Sequence, residues 1–402
     1  MGSVMEDFEH ATPVVVAGGG AVGMLTAFQL GRLGVPCIVA DQKLDISASS
    51  KSETLNGRSM EIFRMLGISD DFRTMVDALD SEENADEDWE ITSETSVPSM
   101  AELTAENDGT WFAEPSQTCS ITVLEKFLRR MCFTQPSVEV RHGWKYLSHE
   151  EGPEGVTATF IDDHWEQHAV KSQYLVGADD CQARVRKNCG AESQKYCSPE
   201  RRVVLVGESR ASSPEASRIN NGVEDAVNVS WRLAALLQAY GSDQLITSYG
   251  ESKAQPDGKS RCKPSTSPGS RVPHVWLRDG KTSTVDLLGR EWTLISSSAL
   301  ANTAAFCSVA DELRIPLKLV KMVREFHAHS IFGRPLAGGT KSKSSFEISG
   351  DNIYNRSVAG KRSSAAGVNG VLERGNLGFD DKAGRRLWSY ETLLFRQTSE
   401  AI

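Results

Sequence analysis

The chain has 402 residues, 39% of them hydrophobic and 24% charged, and a formal net charge of -10 at neutral pH. That length exceeds one small core and predicts two or three domains of an ordinary globular protein. The acidic balance excludes nucleic acid as the main partner and disfavours an anionic membrane surface, because both need a basic face.

The first ten residues, from Met1 to His10, are acidic and have no apolar centre, so no secretory leader is expected. No apolar run approaches the roughly 18 residues of a spanning helix. A cytoplasmic location away from the membrane is the expectation. The eight cysteines, Cys37, Cys119, Cys132, Cys181, Cys189, Cys197, Cys262 and Cys307, include no C-x-x-C pair and read as reduced, mostly buried thiols. The histidines show no ligand spacing; His327 and His329, two positions apart, read as surface residues. No metal is expected.

Val14 to Ala17 form a short β-branched run, Ala21 to Leu33 has helix length with apolar Val22, Leu25, Leu30 and Leu33, and Cys37 to Ala40 is apolar again. This predicts strand, helix and strand. Gly18, Gly20 and Gly23 stand at G-x-G-x-x-G spacing at the first handover, and Asp41 ends the second strand. In that pattern the first glycine permits the turn, the second lets the main chain approach a diphosphate, and the third lets helix pack on strand. The acid accepts hydrogen bonds from an adenosine ribose. A dinucleotide site is the reading; a plain glycine-rich turn is the alternative.

Next come a polar stretch containing Lys51 and a helix carrying Met60, Phe63 and Leu66 on one face, with Asn56 or Ser59 as cap and Gly67 as stop. Here the chain resembles the FAD-dependent aromatic hydroxylases, the family of p-hydroxybenzoate hydroxylase and phenol 2-monooxygenase. Lys51 falls where that family carries an Arg or Lys near the flavin phosphates; a solvated loop lysine is the other reading. Residues 75 to 118 are acidic and broken, and read as a solvated face. Ile121 to Met131 resembles the family helix that crosses near the flavin, with Ile121 where the family has Gln.

Val138 to Arg141, Tyr146 to Ser148, Val156 to Ile161 and Gln173 to Gly177 read as strands. The last leads into a segment similar to the family's second fingerprint. Asp179 and Arg186 match; Asp180 replaces a Gly and Ala183 a Ser. The resemblance assigns Asp179 to the diphosphate side. Arg202 to Glu208 resembles the third fingerprint, a strand ending in Gly and an acid that holds the ribityl chain; Gly207 matches, and Glu208 replaces Asp. Ser209 to Asn221 departs most, keeping only Pro214, Arg218 and Asn220. Gly222 to Leu237 matches again, as a helix whose start faces the flavin; Asp225 and Asn228 are its family residues or ordinary capping residues.

The implied fold class is α/β: a Rossmann-type FAD-binding domain, discontinuous at 1–72 and 170–251, with a truncated substrate sheet domain at 73–169. Only sixteen positions separate Arg186 from Arg202, where the family carries most of its substrate sheet. A Lys/Ser/Pro/Gly-rich linker at 252–270 leads to a region at 271–336 similar to the thioredoxin-like C-terminal domain of phenol hydroxylases, without its Cys pair and therefore structural or dimer-forming. Residues 337–402 read as a poorly ordered tail. The resemblance implies FAD as cofactor, NADPH and O2 as co-substrates, a phenolic or polyketide-like aromatic substrate and a homodimer. Gly18, Gly20, Gly23, Asp41, Lys51, Asp179 and Glu208 are the expected cofactor contacts, and no catalytic base is named, since a flavin carries the reactive atom. A degenerate flavin-binding scaffold or non-redox cyclase is the alternative; a simple NAD-dependent dehydrogenase explains less of the sequence.

Overall fold

The computed structural model describes residues 10–46, 52–83, 111–179, 184–190, 202–207, 218–251, 272, 274–277, 279–288, 292–296, 303–321 and 392–396. Strand β1 (His10–Ala17) leads to helix α1 (Ala21–Arg32) and returns as β2 (Cys37–Asp41), parallel to β1. Val14, Val15, Val16 and Ala17 are all fully buried, which is why the run does not alternate with polar residues: a strand inside a parallel sheet is covered on both faces. Val14 and Val16 join the core under α1, whereas Val15 and Ala17 join a second core on the opposite face.

A short β3 (Ser52–Leu55) precedes α2 (Gly57–Leu66) and α3 (Ser69–Glu83). Of the two cap candidates, Asn56 caps α2, its side chain accepting from Ser59 N, and Gly67 ends the helix as expected, at φ 74°. β4 (Gln117–Ser120) pairs antiparallel with β3 and hands over to α4 (Ile121–Phe133), capped by Ser120. The rings of Phe63, Phe72 and Phe127 lock α2, α3 and α4 together at centroid distances of 5.1 to 6.4 Å. Each such burial contributes about 1.5–3 kcal/mol.

β5 (Val138–His142), β6 (Lys145–Gly152), β7 (Gly155–Ile161) and β8 (Gln167–Gly177) follow. β5 lies parallel to β2, and β6, β7 and β8 form an antiparallel meander. One seven-stranded sheet results, in the order β5-β2-β1-β8-β7-β6, with β9 (Val203–Leu205) also on β8. β8 pairs with β1 along its length, while its other edge meets β7 over 167–172 and β9 over 175–177. The strands expected within a separate substrate sheet at 73–169 therefore differ in outcome: β5, β6 and β7 share the sheet of β1 and β2. Their apolar residues Trp144, Tyr146, Val156 and Phe160 face Val15 and Leu175 in the second core, which fixes that pairing.

After β8 come α5 (Arg184–Asn188), α6 (Arg218–Leu237) and α7 (Gln244–Glu251). Ala226, Val229 and Leu233 of α6 are buried in the same core as Leu25 and Phe28 of α1. Further on, β10 (Trp292–Ser296), α8 (Ala304–Glu312) and β11 (Leu317–Lys321) make a β-α-β unit with parallel strands. β12 (Thr392–Arg396) pairs antiparallel with β10, so part of the tail expected to lack order is a strand. Lys51, Glu208, the linker at 252–270 and the rest of the tail lie outside the described residues. Among the described residues no helix is long and apolar enough to cross a membrane.

Candidate nucleotide site

The ends of β1, β2 and β8 open into one cleft, lined by Gly18, Gly19, Gly20, Asp41, Lys43, Trp144, Tyr146, Asp179 and Arg184 among others. Gly18 adopts φ 114°, a conformation that disfavours any side chain, and its N–H donates to Ala40 O at 2.9 Å. A Cβ there would fall 2.2 Å from Ala178 O. At Gly23 a Cβ would fall 1.9 Å from Gly18 O, so helix and turn touch only because Gly23 lacks a side chain. Gly19, which sequence reasoning passed over, is equally constrained: its Cβ would lie 2.6 Å from Asp41 Cβ.

Helix α1 is capped by Gly20, with no side chain accepting its first N–H groups and no acid in its first turn. Those donors and the positive helix end remain available to an anion. Asp41 is 8% exposed; its Oδ1 accepts from Lys43 N at 3.1 Å, and among the described residues Oδ2 carries no hydrogen bond. A cradle that a Cβ would fill, an uncapped helix start and an acid one strand away fit the adenosine and diphosphate half of a dinucleotide.

Asp179 lies in the same cleft, and its Oδ2 accepts from Val185 N at 2.9 Å, so the carboxylate also holds the start of α5. Gly207 N donates to Asp225 Oδ2 at 3.1 Å. Both Gly207 and Gly222 press on Val22 in the first turn of α1, where added Cβ atoms would come within 3.3 Å and 2.4 Å. Three segments far apart in sequence thus meet over one helix start. Asn220 Oδ1 accepts from Asn56 N at 2.9 Å and Ser59 Oγ at 2.6 Å, and its Nδ2 donates to Thr54 O at 2.9 Å, tying the start of α6 to that of α2.

Sequence reasoning also missed Lys43, Trp144, Tyr146 and Arg184. Lys43 lies two positions after the acid, a signal that was present. Trp144, just before β6, and Tyr146 within it reach the cleft from a strand that no local pattern links to β1. Tyr146 OH meets His149 Nδ1 at 2.6 Å and accepts from Asn188 Nδ2 at 3.3 Å. Burial, the largest cause, pushes the phenol up to about 12, so it stays protonated at neutral pH. Of the described cysteines, Cys37, Cys119, Cys132 and Cys189 are buried and Cys307 is partly exposed.

The family of the FAD binding domain matches residues 11–217, half of the chain. The FAD-dependent monooxygenase apdD of Emericella nidulans is 28% identical over 187 residues, which are 44% of this chain and 30% of that protein. The phenol 2-monooxygenase of a Pseudomonas species is 25% identical over 193 residues, again 44% and 30%. The matched stretch thus spans 30% of the length of these curated relatives. The solved ternary complex of aklavinone-11 hydroxylase with FAD and aklavinone shares the fold at a TM-score of 0.60 and 19% identity, covering 78% of this chain and 89% of that one. With its glycine turn, acid and later fingerprint segments gathered around one helix start, the chain belongs to the family of FAD-dependent aromatic hydroxylases.

Proposed function

We propose that the chain binds FAD and hydroxylates a phenolic or polyketide-like aromatic small molecule with NADPH and O2, in the cytoplasm. The observation that carries this reading is the cleft itself. The main chain at Gly18 to Gly20 and the first turn of α1 contact the diphosphate, and Asp41 accepts from the ribose. Lys51, Asp179 and Glu208 add weaker contacts along the cofactor. FAD, when bound, supplies the electron transfer and oxygen activation for which no side chain is needed. The start of α6, anchored by Asn220 and Asp225, presents the positive end of its dipole to the flavin ring. The unit at 271–336 is read as thioredoxin-like and structural, with a homodimer contact; its β-α-β core, which β12 joins from outside that range, supports the thioredoxin-like part of that reading.

A second reading, a relative that holds flavin without turning over, is favoured by two features. Asp180 stands where the fingerprint has Gly, and few residues separate Arg186 from Arg202. Purified chain is expected to be yellow and to release FAD on denaturation, and NADPH is expected to bleach it and drive oxygen uptake with a suitable phenol. Gly23→Ala, whose methyl group meets Gly18 O, is expected to be colourless. A colourless wild-type chain that takes up no added FAD sinks the proposal; bound FAD without NADPH oxidation across phenols selects the second reading.

A further inference from the structure

The cleft poses a charge problem that the fingerprint residues do not solve. Asp41 and Asp179 already place two carboxylates around it, and a diphosphate adds more negative charge. The start of α1 offers only about half a positive charge. Among the described residues, the cleft is lined by three cations: Lys43, Lys145 and Arg184. Both lysines are exposed and hydrated, whereas Arg184 is half-buried.

Arg184 opens α5, whose position is fixed by the Val185 N–H bond to Asp179 and by complete burial of the Val185 side chain. The end of β8 that leads toward it rests directly on the glycine turn: a Cβ on Gly18 would fall 2.9 Å from Asp179 N. Arg58, Arg64, Arg73 and Arg202, also wholly or partly buried, are each committed to a carboxylate, amide or phenol oxygen. Among the described residues the Arg184 guanidinium has no hydrogen bond and no ion pair. Its planar fork, lining the cleft and not committed to a carboxylate, matches two phosphate oxygens.

We infer that Arg184 neutralises the diphosphate of the bound dinucleotide, a role at a position inside the second fingerprint segment, between Ala183 and Arg186, to which the resemblance gives no function. The inference rests on the dinucleotide reading above and names the charge partner within it. FAD, ADP, AMP and adenosine are titrated into the full chain and into Arg184→Ala, Arg184→Gln and Arg184→Lys, at two salt concentrations. In the wild type, ADP is expected to bind more tightly than adenosine. Arg184→Ala and Arg184→Gln are expected to weaken ADP and FAD about tenfold or more, to leave adenosine unchanged, and to flatten the salt dependence for ADP. Arg184→Lys, a point charge without the fork, is expected to fall between. Equal losses for adenosine and ADP, or an unchanged ADP-to-adenosine ratio, overturn the role of Arg184 while the dinucleotide reading stands. If the wild type binds none of the four, both fall together.

Discussion

Asp41 and His142 face each other across β2 and β5, so the acid proposed to accept from ribose has an imidazole for a neighbour. His142 is held below the ordinary histidine value of 6.5, chiefly by burial and then by Arg129, against the opposing pull of Asp41 and Asp45. A histidine depressed in the folded state takes up its proton more readily once unfolded. Stability conferred by neutral His142 is therefore complete above the unfolded value and declines as pH falls from about 6.5 toward the folded value. Thermal unfolding is expected to drop on acidification across that window, and His142→Gln is expected to shrink the drop; an identical pH profile in the variant contradicts the assignment. Gly18, Gly20, Gly23 and Asp41 were legible as a group because their meaning lies in spacing along the chain. Tyr146 and Arg184 were not, because β6 reaches the cleft through its pairing with β7, which in turn pairs with β8, and α5 through the burial of Val185 against β8.

At the scale of elements, α2 shows how local chemistry and tertiary contact combine. Its start is fixed twice: the Asn56 side chain accepts from Ser59 N, and the Asn56 N–H donates to Asn220 at the head of α6. Asn56→Ala removes the first of these, leaves the second in place, and is expected to lower stability by about 1 kcal/mol in urea denaturation, with Asn56→Asp recovering most of it. A variant indistinguishable from wild type would show that the contact to Asn220 alone sets the helix start. The cap was readable in the sequence, as were β5, β6 and β7 as strands. Their partners were not. A strand's own residues specify its alternation, whereas its neighbours follow from which apolar faces meet, here Trp144, Tyr146 and Phe160 against Val15 and Leu175.

Over the whole molecule, the C-terminal unit meets the nucleotide-binding half through an ion-pair cluster and through apolar contacts. Arg64 of α2 donates from both Nε and a terminal nitrogen to Asp286 at 2.7 Å each, reaches Glu114 at 2.9 Å, and lies 5.2 Å from the Trp276 ring centroid. Nearby, Met65 and Ala113 pack with Val272, Val285 and Ile295, and Trp231 of α6 meets Trp292 of β10 edge-on at 6.0 Å. The fork is ideal but partly exposed, with side chains 22% and 25% accessible, so its coupling is expected to be about 1 kcal/mol. A double-mutant cycle with Arg64→Ala and Asp286→Ala measures it; additive single losses would assign the docking to the apolar contacts instead.

The sequence by itself determined the β-α-β unit, the glycine turn, the acid that follows it and the caps of α2, since each depends on residues within a few positions or on one fixed period. Tertiary structure alone decided that β5, β6 and β7 complete the sheet of β1, that Asp179 spends one oxygen on the start of α5, and that Tyr146 and Arg184 complete the cleft. Those outcomes follow from which buried faces and unpaired polar groups meet across long stretches of chain, and no run of neighbouring residues encodes that meeting.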